Sequence, residues 1–157
     1  MIALRWLLIS IHLLAAAGWF GAMMYSLVVL HPKTRQFFGE DDEKYESFIS
    51  NAASGARWKM IGGLVTIAVT GLALIPLARP RPVNVTWDAI MIGKTALLVV
   101  VGIIFWRISW RLWPKRVFAT AAELPGIRRQ FRNAGVTMIV IAGVAMVLSV
   151  WALVCRD

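Results

Sequence analysis

The chain has 157 residues, of which 59% are hydrophobic and 16% charged, and its formal net charge is +9. An apolar share above the about 45–50% of soluble domains marks an integral membrane protein and leaves no length for a separate soluble domain. The basic excess has a topological explanation, so nucleic acid is excluded as the expected partner, and a single cysteine, Cys155, excludes an intrachain disulfide and a thiolate metal cluster.

Four apolar windows of about 20 residues predict helices over about 4–30, 58–78, 87–113 and 133–154. The expectation is one transmembrane domain over 1–157, an all-α four-helix bundle, up and down, with short interfacial helices on the cytoplasmic side. The first run, Ile9 to Pro32, holds His12; every other side chain from Leu7 to Leu30 is apolar, aromatic or a hydroxyl. A titratable group in hydrocarbon is costly, which makes His12 a candidate functional residue. Helical spacing puts it on one stripe with Ala15, Ala16, Trp19 and Met23, with Arg5 two turns back. The plainer alternative is that His12 hydrogen-bonds a hydroxyl or carbonyl on a neighbouring helix. His31 and Pro32 are expected to end the span, with His31 exposed where the helix dipole favours a cation.

Gly39 to Glu43 makes an acidic start for a short helix on which Tyr45, Phe48, Ile49 and Ala52 recur at helical spacing, as an interfacial helix requires. The acidic residues match no calcium loop and are ordinary at a helix start. The second helix opens at Arg57-Trp58-Lys59, carries a small polar stripe of Gly63, Thr66 and Thr70, and is expected to end at Pro76. The third begins near Trp87-Asp88 and contains Lys94, with Met91 one turn outward. At 1.5 Å per residue, His12 and Lys94 each lie about 10 Å inside their helix starts, so the two unusual residues are level; the alternative for Lys94 is snorkelling to the headgroups. Trp106, Trp110 and Trp113, among Arg107, Arg111, Lys115 and Arg116, form an interfacial collar. Pro125-Gly126 reads as a turn in a third loop with room for a second surface helix, and the last helix carries Ala142, Ala145, Ser149 and Ala152 on one stripe. Twelve basic residues fall in or beside the first and third loops, against Arg5, Arg79, Arg81 and Arg156 at the other end. The positive-inside rule then puts both termini outside.

His12 and His31 are nineteen residues apart on one helix, about 28 Å, and cannot share a metal. With two histidines in all, a haem held within one protomer would take His12 as axial ligand, Lys94, Met91 or water opposite, and Arg5 toward its propionates. Trp19, Met23 and Met91 would line that site. Copper is the competing cofactor, for which His12, the methionines and Cys155 supply ligand types at no diagnostic spacing.

His12-Leu-Leu-Ala-Ala-Ala-Gly-Trp19-Phe-Gly21, then Tyr25 and His31-Pro32, resembles the first helix of CopD-like and HemJ-like membrane proteins, in which a histidine is followed by Trp-x-Gly. Arg57-Trp58 leading to Thr70-Gly71-Leu72 is similar to their second helix, and Gly93-Lys94-Thr95-Ala96-Leu97 to their third. HemJ-like proteins are four-helix haem b proteins implicated in oxidising protoporphyrinogen IX, with the first-helix histidine and third-helix lysine important. The resemblance therefore implies haem b on His12 and Lys94 as the catalytic residue; the expected location is a bacterial inner membrane, with periplasmic termini by the positive-inside rule. The family pattern has a second histidine just before the lysine, where this chain has Ile90, Met91 and Ile92. CopD-like proteins, associated with copper uptake or resistance, tolerate that difference and are the closer label. Beyond the lipid bilayer, a homo-oligomer or a larger membrane complex remains open as partner. Three readings result: a haem-dependent oxidoreductase, a copper-handling membrane protein, and a non-catalytic accessory subunit.

Overall fold

The computed structural model describes residues 2–80, 83–120 and 122–154. Arg81, Cys155 and Arg156, counted above, lie outside the described residues. Within them the fold is all-α, with four helices long and apolar enough to cross a membrane: α1 (Ile2–Phe38), α3 (Ala56–Ala78), α4 (Val85–Val117) and α5 (Leu124–Val154). The short α2 (Asp42–Ala52) joins α1 to α3. The chain is a multi-pass membrane protein, and its lipid-facing surface is lined by exposed Leu, Val, Ile and Trp side chains.

The first, third and fourth spans run further than expected, for reasons local to proline, whereas the second ends at Ala78 as its expected bounds of 58–78 have it. Pro32 does not end α1. A π turn over Ser26–Leu30, closed by the His31 N–H donating to the Ser26 carbonyl, precedes it, and the helix continues to Phe38. A proline ring clashes with the carbonyl four residues back, and the wider turn accommodates that clash. Pro114 in α4 is handled the same way, by a π turn over Ile108–Leu112 in which the Trp113 N–H donates to the Ile108 carbonyl. Pro76 sits in the last turn of α3; the helix stops only at Arg79, whose extended backbone is what the following Pro80 imposes. Pro125-Gly126 is not a turn but the first turn of α5, where the missing proline N–H costs nothing. The third loop therefore shrinks to the stretch between Val117 and Leu124, and among the described residues α2 is the one short helix separate from the spans.

The two proline-bearing helices repeat one another. Leu30-His31-Pro32-Lys33 and Leu112-Trp113-Pro114-Lys115 occupy the same place after their π turns. Each of these helices lies along the antiparallel helix that follows it, α1 on α3 and α4 on α5. Residues at matching positions meet: Trp19 and Val101 are both buried in one cluster with Phe105 and Met138, and Met23, the counterpart of Phe105, packs against it. A second cluster, Trp87, Ile90 and Ala152, closes the end of the bundle where the termini lie. We call this the terminal end, and the opposite one, carrying α2, the basic end.

Glycine seats let α1 approach α3. A Cβ at Gly63 would stand 3.1 Å from Trp19 Cδ1, and one at Gly71 would stand 3.0 Å from His12 Cε1. The stripe expected from Gly63, Thr66 and Thr70 is thus the packing face, as close helix contact in lipid requires.

α2 is fastened across the basic end. Gly39 and Gly55, both with positive φ, turn the chain on either side of it, and Asp41 caps it by accepting from the Lys44 N–H at 3.0 Å. Tyr45 and Ile49 are buried against the bundle, whereas Phe48, expected on the same face, is 45% exposed. The Glu46 carboxylate accepts from Arg116 Nε at 2.7 Å and Arg128 Nε at 2.7 Å, and Asp42 accepts from Arg35 and from Arg128 Nη1. Burial alone would raise the Glu46 pKa, but the two guanidiniums outweigh it and hold the carboxyl below its usual range. Asp42 is likewise held low, by its bonds to Arg35 and Arg128.

Candidate functional site

His12 is half-buried between α1 and α3, with its ring over Gly71. Its Nδ1 is 2.9 Å from the Thr70 hydroxyl. Thr70 Oγ1 also lies 2.6 Å from the Thr66 carbonyl. When the hydroxyl donates its one proton there, it accepts from His12, and in that tautomer Nδ1 carries the hydrogen and Nε2 keeps its lone pair. An imidazole fixed by an Nδ1–H bond, with Nε2 as the acceptor nitrogen, is the form that ligates a metal. The hydrogen bond to a neighbouring hydroxyl, weighed above as the plainer alternative, is present, and it is also the bond that would orient a ligand.

Lys94 is half-buried on α4. The levels agree, since the π turn of α1 begins fourteen residues after His12 and that of α4 begins fourteen residues after Lys94. His12 and Lys94 thus occupy matching positions in the two repeated helices. Arg5 is half-buried two turns toward the terminal end on α1.

The remaining expected lining residues separate. Trp19 and Met23 lie in the inner cluster of the bundle, and Trp19 is seated on Gly63. Met91 packs against the other cluster, at the terminal end. These three flank the level of His12 on both sides and do not share one cluster with it. Met23 and Met91 therefore do not form a joint thioether set, and among the described residues no group of three His, Cys, Asp or Glu side chains could hold a metal ion.

Around His12 the structure has an imidazole bonded to Thr70, a glycine seat at Gly71 that its ring occupies, and the small side chains of Ala15 and Ala16 on the same helix. Thr70 and Gly71 hold the geometry together. Sequence reading placed Thr70 on the packing stripe without assigning it to His12, because pairing across helices depends on their register.

His31 departs from its expected role. It is half-buried, and its Nδ1 is 2.9 Å from Tyr45 Oη on α2. It faces a cavity at the basic end instead of standing exposed there. The tryptophan collar is present as cation–π pairs, with Arg57 over Trp110 at 5.3 Å and Arg111 over Trp106 at 5.9 Å.

No protein-family model, curated protein or solved structure matches the chain. The likeness to CopD-like and HemJ-like proteins rests on its short motifs alone.

Proposed function

We propose that the protein is a haem b-binding redox protein of the bacterial inner membrane. The observation that supports this reading is the bond of His12 Nδ1 to Thr70, which would orient the ring and leave Nε2 to serve as a ligand nitrogen. A bound haem would supply one-electron chemistry. The chain's own residues would hold and tune it: His12 through Nε2, Thr70 by fixing the ring, Gly71 by giving the ring room, and Arg5 by pairing with propionate groups. Lys94 is the candidate catalytic residue, an ammonium in a water-poor layer that would hold a carboxylate or an anionic form of an oxidisable substrate. The twelve-to-four bias of basic residues supports a cytoplasmic basic end and periplasmic termini.

Copper handling is the weaker reading, because Met23 and Met91 belong to different clusters. The reading is tested by haem stoichiometry after expression with added haem precursor. One haem per chain is expected, lost in His12→Ala and kept in His31→Ala. Haem retained in His12→Ala would overturn it, and a colourless protein co-purifying with partners would favour the accessory-subunit role.

A further inference from the structure

A cavity of about 1280 Å³ lies at the basic end, remote from His12 and independent of the haem reading. Both π turns form its walls, through Ser26 and Leu27 of α1 and Ile108 and Ser109 of α4. Such turns are frequent at functional sites. Its floor is apolar, formed by Met23, Leu27, Phe105, Ile108 and Met138, two of which belong to the inner buried cluster. Its rim is cationic: six arginines line it, and Asp42 is the one acid among its described lining residues.

The arginines divide into two sets. Arg35, Arg116 and Arg128 are engaged by Asp42 and Glu46, which fasten α2. Arg57, Arg129 and Arg132 have no carboxylate partner among the described residues, and Arg57 is held against Trp110. A further donor faces no acceptor: Arg128 Nη2 is buried without a hydrogen-bond partner. That N–H is a donor which a bound oxyanion could take up.

We propose that this cavity binds an anionic amphiphile, with an oxyanion headgroup on Arg57, Arg129 and Arg132, Arg128 Nη2 as an inner donor, and an apolar chain on the Met and Phe floor. A small anion alone would leave the floor uncovered. A neutral lipid would leave the three guanidiniums without a counter-charge. Anionic phospholipids of the surrounding leaflet and phosphorylated single-chain amphiphiles share the required chemistry.

The test uses the full chain in neutral phosphatidylcholine nanodiscs at about 0.15 M salt, where screening limits non-contact attraction. Dioleoyl phosphatidylglycerol, dodecyl phosphate and glycerol 3-phosphate are each titrated, with bound ligand counted by native mass spectrometry and stability followed by thermal melting. Phosphatidylglycerol is expected to bind and raise the melting temperature, and glycerol 3-phosphate to do neither. Dodecyl phosphate binding as well as the lipid would identify the single-chain source, and weaker binding the bilayer lipid. The variant R57Q/R129Q/R132Q should bind phosphatidylglycerol about a hundredfold more weakly, at about fivefold per charge, and the R57K/R129K/R132K variant should recover most of that. The control K33Q/K59Q/K115Q, at exposed lysines of the same end, should lose less than about tenfold. The proposal is overturned if added phosphatidylglycerol gives no more stabilisation than added phosphatidylcholine. Equal losses in the lysine control and the arginine variant, or glycerol 3-phosphate binding as tightly as the lipid, would overturn it as well.

Discussion

Gly71→Ala tests the seat of His12 directly. The new Cβ would stand 3.0 Å from His12 Cε1, whereas carbon atoms rest at about 3.5–4.0 Å, so ring and helix must part by about 0.5–1 Å. The Nδ1 to Thr70 Oγ1 distance, 2.9 Å, would then pass the limit of a useful hydrogen bond at about 3.5 Å. An interhelical bond in lipid is worth about 0.6–2 kcal/mol, and overpacking costs about 1–3 kcal/mol. Against these stands a gain of about 1 kcal/mol in helix propensity from replacing glycine. The net expectation is a loss of about 1–3 kcal/mol. Gly62→Ala is the internal control, because nothing stands within 4 Å of a Cβ there, and it should be neutral or slightly stabilising. The assay is equilibrium unfolding by SDS in mixed micelles, followed by tryptophan fluorescence. Equal stability of the two variants would refute the close approach of His12 to α3.

Other perturbations probe the rest of the bundle. Glu46→Gln leaves Arg116 without its carboxylate and Arg128 with Asp42 alone; the cost should be about 2 kcal/mol, below the about 3–5 kcal/mol of a fully buried pair, and limited proteolysis of α2 should accelerate. Because the Glu46 and Asp42 pKa values are depressed in the fold, their contribution is complete above the unfolded carboxyl value of about 4 and is lost as pH falls below it. Melting temperature should therefore hold from pH 7 to about pH 5 and drop below about pH 4, with a shallower drop in Glu46→Gln; an identical acid profile would contradict the clamp. Pro114→Ala removes the clash that the π turn of α4 accommodates, so the helix should revert to α geometry and rotate the residues beyond it by about 100°. Arg116 would leave Glu46, and amide exchange in α2 should rise; unchanged exchange would show that packing, not proline, fixes the turn. Thr70→Ser should keep the His12 bond and Thr70→Val should break it, so stability should fall by about 1 kcal/mol in the valine variant alone.

Long apolar runs made the four spans legible, since length and hydropathy decide whether a helix crosses a bilayer. The ends at 78 and 154 were legible, and the misplaced ones lie beside prolines. Pro32 and Pro76 read as stops and Pro125 as a turn, yet a π turn, a last-turn position and a first-turn position admit all three. The repeat of Leu-x-Pro-Lys is visible in the chain, but three shared residues become a signal only when both copies follow a π turn. His12 and Lys94 stood out because ionisable groups are rare in hydrocarbon, and the structure puts them at matching levels. The roles of Thr70, Gly71 and Glu46 were hidden, because they arise from pairings 58 to 82 residues apart in the chain. The face of α2 could have hinted at its clamp: Asp42, Tyr45, Glu46 and Ile49 fall on one helical stripe.

The haem proposal makes His12 Nε2 the ligand nitrogen. Its most direct test is the absorption spectrum of the detergent-purified protein, oxidised and dithionite-reduced, beside His12→Ala. A Soret band with sharpened α and β bands on reduction, absent from His12→Ala and shifted in Thr70→Val, is the expected result. A featureless spectrum after haem supplementation, or one unchanged by His12→Ala, would contradict it.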